Sequence, residues 1–533
     1  MKNYYEVKDF TGANFNGDSH VIDDSEATDL LNVQVAPGQV EIRPGYDLWN
    51  KDTTNGSGGI KYMFPFYKTT FTNATNQLIF ANADKWKYQV AGAVTDDAFV
   101  AIGDYGTEVD NPRGIVYNDI CILGSNNSSN NLKKWSGSAF SNTTSEPTDN
   151  VNMFDVWVGE DDEYLLAAEE GTSTLWYSNS ADGDKWTGSD FQIIGKNNGE
   201  QIRGIKARLG EALIYKDNRK YKRSIVYEAF SGDYVPKRTG GSDGSGGTLA
   251  HDSMVSVDES IYCLTNRTEG FQSFGPRSNF DGDNIPYTIS KKISPILKNF
   301  SWNYIHKTRG IRWGDRVLWA LPFHGSKFNS KVVVYDLIQK GWSFWDMPVG
   351  AFSKFKDTNG HEMLLMGDSG NPIIYKFNED IYSDNLLGYQ RVWQTKAFDF
   401  GDRLGLKPVK WIDIGGSMAD ITNLKVTVNV DGNEVDYMIT RSQILTRKGG
   451  TSIGDNLIGK EIVGGNSTSD SKLRYIAQID IGNIQRLGHS IKLKFSNNGS
   501  GEYWKIDYLG FDFEKSRVGV MPRRPKHTLS PLS

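Results

Sequence analysis

Gly114-Ile-Val-Tyr-Asn-Asp-Ile-Cys-Ile-Leu123 decides the reading of this chain. Apolar side chains recur at every second position on either side of Asn118-Asp119, which is the period of a strand and not of a helix. Asn and Asp tolerate positive φ, so the pair marks a tight turn between two antiparallel strands. Counting from Ile115–Leu123, the same strand–turn–strand unit occurs at Tyr62–Phe80, Phe154–Ala167, Gly204–Lys216, Met254–Leu264, Arg309–Leu321 and Ala351–Met366. Successive starts lie 53, 39, 50, 50, 55 and 42 residues apart. A period of about 50 with irregular loops suits one four-stranded propeller blade per repeat, about seven in all.

Several repeats share a trailing half. It reads Leu132-Lys-Lys-Trp135, Leu175-Trp-Tyr-Ser178, Val333-Val-Tyr-Asp336 followed by Gly341-Trp-Ser-Phe-Trp345, and Ile373-Ile-Tyr-Lys-Phe377. This is the pattern of an outer hairpin whose Trp or Tyr packs between neighbouring sheets. One such sheet cannot bury both faces alone, so the repeats must stack radially.

The fold class is therefore all-β, a β-propeller followed by an antiparallel β-sandwich. The sandwich is expected over 392–513, where Leu424-Lys-Val-Thr-Val-Asn-Val-Asp-Gly432 alternates strictly into an Asp-Gly turn. The propeller is expected over 60–391. Residues 1–59 read as an extended arm contributing to the propeller and to subunit contacts, with one short helix at Ser25–Asn32. Residues 514–533 form a basic, proline-containing tail that carries Arg517, Arg523 and Arg524.

Composition narrows the function. With 59 Lys+Arg against 65 Asp+Glu, the net charge of −6 argues against a tight nucleic-acid binder, which needs a basic stripe. Two cysteines, Cys121 and Cys263, make no disulfide framework, and no Cys/His spacing fits zinc. Met1 to Phe10 lacks the apolar core of a signal peptide, and no run approaches the roughly 18 apolar residues of a membrane span. Synthesis in a cytoplasm and no membrane span are expected.

Catalytic motifs are weak. Gly240-Gly-Ser242-Asp-Gly244 matches the nucleophile-elbow string, but it sits in a Gly/Ser-rich loop with no strand before it or helix after it. Ser180-Ala-Asp-Gly-Asp-Lys-Trp186 is one residue short of an Asp-box, which is a turn stabiliser in any case. Arg203, Arg208, Arg219 and Arg223 are near in sequence, as a sialidase cluster would require, without evidence of convergence. Acid pairs such as Asp161/Glu163 and Asp399/Asp402 are what 65 carboxylates supply by chance. His306, His324 and His361 are isolated. Asp281-Gly-Asp283 and Asp431-Gly-Asn433 read as turns before calcium loops. No catalytic residue, cofactor or metal ligand is assigned.

The order of motifs carries a family resemblance. The opening Phe10-Thr-Gly-Ala-Asn-Phe15, Ile22-Asp-Asp-Ser-Glu-Ala-Thr-Asp-Leu-Leu-Asn32 and Arg43-Pro-Gly-Tyr46 is followed by Leu175-Trp-Tyr-Ser178 and Trp186. Gln201 to Lys216, Asp252 to Leu264, Val333-Val-Tyr-Asp336 with Gly341-Trp342, and Met366-Gly-Asp-Ser-Gly370 complete the series. This succession resembles the propeller-containing tail nozzle, or tail-stabilising, proteins of short-tailed bacteriophages over most of residues 10–380.

The resemblance implies a structural virion protein that is made in the host cytoplasm and is no enzyme. Its partners would be copies of itself in a ring, often of six, with portal-adaptor and tail fibre proteins. The ring would extend the DNA channel, help retain the genome and pass double-stranded DNA without sequence-specific contact. Candidate assembly contacts are Arg43, Tyr46, Arg517, Arg523 and Arg524. A glycan-binding or glycan-cleaving receptor-recognition component is the second reading, motivated by the 65 aromatic residues. Against it, Trp135, Trp176, Trp186, Trp342 and Trp345 fall at repeat positions expected in the core. A baseplate or tail-tip role in a long-tailed phage is a variant of the first.

Overall fold

A computed structural model describes residues 2–514 except 52–57, 93–98, 107–110, 128–131, 159–162, 180, 196–198, 209–210, 218–219, 224–235, 239–245, 276–284, 404, 441–471 and 482–487. The chain divides into two compact units, Pro44–Leu386 and a second built from Met1–Arg43 with Leu387–Ser533.

The first unit is a seven-bladed propeller among the described residues. Blade 1 is Ile60–Phe66, Gln77–Asn82, Lys85–Val90 and Val100–Asp104, and blade 2 runs from Arg113–Tyr117 to Phe140–Asn142. Blades 3, 4 and 5 begin at Met153–Val158, Ile202–Arg208 and Val255–Val257, and blade 6 spans Arg309–Trp313 to Trp342–Trp345. All seven sequence repeats are the first two strands of a blade. First strands of consecutive blades pack on one another, directly or through the turn at His251–Ser253, and that of blade 7, Val349–Lys356, returns to that of blade 1.

Gln77–Asn82 shows why the second strand of a repeat reads as a nearly continuous apolar run. Every residue of this strand is buried, because both faces of a blade are covered. Leu78 and Phe80 enter one apolar cluster with Trp49, Ala351 and Leu365 of blade 7. Ile79 and Ala81 point the other way, to Cys121, Leu123 and Trp135 of blade 2. Other neighbouring blades have their own such cores, for example Ile122, Trp176 and Trp186 between blades 2 and 3. Gly114 is required by this packing: a Cβ there would lie 2.7 Å from a Leu123 methyl and 2.8 Å from the Phe64 ring.

Blade 7 is closed from the other end of the chain. Its inner strands come from Val349–Asn378, but its outermost strand is Gly45–Lys51, antiparallel to Ile373–Asn378 with Tyr46 opposite Phe377. Sheet hydrogen bonds to a strand from early in the chain thus complete blade 7 and seal the ring.

The second unit is a sandwich of two sheets. In one, Val409–Ala419 lies between Lys472–Asp480 and Trp504–Glu514, and the latter also pairs with Lys2–Val7 and Gln39–Ile42. In the other, Arg391–Thr395 lies between Glu26–Leu31 and Ile491–Asn497, and the sheet continues to Leu424–Val430 and Asn433–Ile439. Alternate residues such as Ile412, Ile414, Val426, Val428, Leu493 and Phe495 are buried.

Two expectations are corrected. The arm expected over residues 1–59 does contribute to the propeller, through Gly45–Lys51, but its described residues before Pro44 supply strands to the sandwich. The helix expected at Ser25–Asn32 is the strand Glu26–Leu31, with Leu30 opposite Trp393 and the Thr28 hydroxyl donating to Thr395 O at 2.9 Å. An eight-residue helix leaves most of its end groups unbonded, whereas this strand finds sheet partners for them.

Candidate functional site: the hub of the propeller

The chemistry-bearing residues that the fold brings together stand at the propeller axis, and none was singled out by motif. A cavity of about 230 Å³ is lined by first strands and the turns that precede them, including Tyr62, Arg113, Asp155, Lys206, His251, Asp252 and Arg309. Arg113 and Arg309 open the first strands of blades 2 and 6, so their side chains start at the channel wall. Asp252 sits in the short 3-10 turn His251–Ser253 that leads into blade 5.

These three form a buried tie across the hub. Asp252 Oδ2 accepts from Arg113 Nε at 2.7 Å and from Arg309 Nη1 at 2.6 Å. Arg113 Nη1 also donates to Glu170 Oε2 at 3.3 Å, and Arg309 donates twice to Lys61 O, at 3.1 and 3.2 Å. Their side chains are 1% and 6% exposed, so the ion pairs are shielded from solvent. Glu170 lies between the second and third strands of blade 3, 3.9 Å from Arg203 of blade 4, which is held by Asp217 at 2.8 Å. Lys206 Nζ stands 3.5 Å from Asp155 Oδ2, and Ala207 N–H donates to the same oxygen at 2.7 Å.

Electrostatics fix the protonation states. Burial alone would raise the Asp252 carboxyl, but Arg113 and Arg309 outweigh it and hold the group well below the usual carboxylate range. Burial pushes His251 down to about 3, against the pull of Asp252 and assisted by Arg113, Lys206 and Arg309. The imidazole is therefore neutral. Its Nδ1 accepts from the Ile205 N–H at 3.3 Å, which places the ring hydrogen on Nε2. Asp252 spent between two guanidiniums is a poor base, and a His251 that presents N–H to the cavity is a donor. The hub is built as a tie between blades.

The residues named from sequence fall elsewhere. Arg43 is wholly buried, so it is corrected as an assembly contact: its Nε donates to Asn32 Oδ1 at 2.9 Å. Its guanidinium lies 3.9 Å from the Tyr389 ring, with Arg391 on that ring at 4.0 Å. Tyr46 is corrected likewise, being 9% exposed and packed on Tyr375 at 4.6 Å. Arg-Pro-Gly-Tyr is thus a structural motif. Arg517, Arg523 and Arg524 lie outside the described residues, as do Gly240–Gly244, Asp281 and Asp161.

Other candidates are structural. Asp399 and Asp402 accept backbone N–H groups of Gly401 and Gly405 in a turn. Asp431 (φ 49°) and Gly432 (φ 95°) form a turn whose carboxylate accepts from His489 and Ser490. His361 is exposed at 3.5 Å from Asp357. Arg203 and Arg208 serve different partners, the latter donating to Phe274 O. Trp186 is buried and donates to Gly183 O, while Asp184 accepts from Thr144 and Lys134 of blade 2. Trp135, Trp176, Trp342 and Trp345 are buried too, so these five offer no face to a sugar. Among the described residues no group of three or more His, Cys, Asp or Glu could hold a metal ion, and no helix is long and apolar enough to cross a membrane.

No family model and no curated protein matches the chain. Among solved structures it is similar to a chain of the mitotic checkpoint complex, at 8% identity and a TM-score of 0.36, covering 60% of this chain and 90% of that one. It is also similar to the Pan2 WD40 domain of Neurospora crassa, at 7% identity and a TM-score of 0.37, covering 68% of this chain and 98% of that one.

Proposed function

We propose that the chain is a non-enzymatic structural protein of a tailed-phage virion, a ring-forming tail nozzle or connector that extends the DNA channel, helps retain the genome and anchors fibres. The observation that carries this reading is the use made of the opening segment. The stretch that resembles tail nozzle proteins supplies strands to the sandwich up to Arg43 and then, from Gly45, the strand that closes the propeller. A sequence signature spent on closure belongs to a building block. The hub supports the same reading, since its carboxylate is neutralised by two arginines. The net charge of −6 suits a wall past which DNA slides, because phosphate affinity comes chiefly from Lys and Arg.

Native mass spectrometry and negative-stain electron microscopy of the purified full chain test the assembly, and mass spectrometry of purified particles tests the location. A closed ring and a stoichiometric virion component are expected. A chain that stays monomeric at high concentration and is absent from particles would refute the reading.

A further inference from the structure

We propose that the propeller hub is a binding site for a small oxyanion, a phosphate or a carboxylate, received by Arg113, Lys206 and His251. The first argument is a mismatch between donors and acceptors. Arg113 Nη2 is buried without a hydrogen-bond partner among the described residues, although Nε and Nη1 of the same group are engaged. The His251 Nε2–H follows from the Nδ1 acceptor role and meets no acceptor among the described residues. Among the described residues Lys206 Nζ has only Asp155, at 3.5 Å. The other polar groups of the wall are already used: Tyr62 donates to Gly114 O at 3.2 Å, and Arg309 is committed to Asp252 and Lys61 O. Donors left over in a partly closed cavity match a ligand that only accepts.

Size points the same way. About 230 Å³ holds one small oxyanion with a few waters, each water taking roughly 30 Å³. The apolar part of the lining, Met63, Ile115, Phe154, Met254 and Phe352, lowers the local dielectric and strengthens each charged hydrogen bond. An oxyanion there would join blades 2, 4 and 5 through one ligand. This is independent of the virion reading.

The probes are inorganic phosphate and malonate, titrated into the full chain at constant ionic strength made up with sodium chloride, with melting temperature and calorimetry as readouts. Saturable stabilisation by phosphate, malonate or both is expected, and the arm that saturates identifies the source. Lys206→Gln and His251→Gln should each weaken the apparent affinity tenfold or more while melting as single folded species without added anion. A response that is absent, or that rises without saturation and equally in wild type and both variants, would overturn the site and leave water as the occupant.

Discussion

Asp252→Asn is the most informative single change in the propeller. The substitution keeps the size of the side chain and removes the charge on which Arg113 and Arg309 converge at 2.7 and 2.6 Å. Both guanidiniums are nearly solvent-free, so neither can recover its hydration without opening the hub. Breaking a buried pair by removing one partner costs about 3–5 kcal/mol, because the remaining charge is left uncompensated. The propeller unit spans Pro44–Leu386. At an unfolding entropy of about 2.1 cal/mol/K per residue, the loss corresponds to a fall of about 4–7 °C in its melting temperature. Differential scanning fluorimetry and urea titration of the full chain measure it. Arg309→Met in the Asp252→Asn background should then cost less than in wild type, with a coupling of about 1–3 kcal/mol. A shift under about 1 kcal/mol, or costs that simply add, would refute the tie.

Three further outcomes are expected. Stability should fall as pH drops from about 6.5 towards 3: His251 binds its proton at about 3 when folded but near 6.5 when unfolded, so the unfolded state takes up more protons in that window. Asp252, also depressed, adds a loss below about 4, and His251→Gln should flatten the upper part of the profile read by urea midpoints. Gly45→Val places a Cβ where only 1.9 Å separates it from Ser383 O; backbone must move, and limited proteolysis should find the closing strand released, whereas protection equal to wild type would count against its role. Arg43→Ala should destabilise the sandwich by about 2–4 kcal/mol through the loss of a buried, stacked guanidinium, visible in the monomer; an effect confined to assembly would restore the surface role denied to it above.

How much of this was legible depended on the range of the interaction. The inner hairpins were readable because a blade buried on both faces imposes apolar residues at nearly every position, as in Gln77–Asn82, and ends each strand at a turn such as Asn118-Asp119. The tryptophans were readable as core for the same reason. Glu26–Leu31 was not: six residues with Ala, Leu and Leu suit a short helix as well as a strand, and what decides is pairing with Arg391–Thr395, more than 360 positions away. The hub was hidden more thoroughly. Arg113, Asp252 and Arg309 each read as an ordinary charge beside a turn, and nothing local distinguishes them from the many solvated ones. Their position does. Each stands at, or just before, the first strand of a blade, and closing a ring of blades sends those strand starts to one axis. Once a repeat has been recognised, a charged residue at its first position is therefore a candidate for the hub, where the low-dielectric centre forces it to find a partner of opposite sign from another blade. Asp252 meeting both arginines is that requirement satisfied. Arg113 Nη2 beside it, buried with its donor unused among the described residues, is the point at which an oxyanion completes the hub.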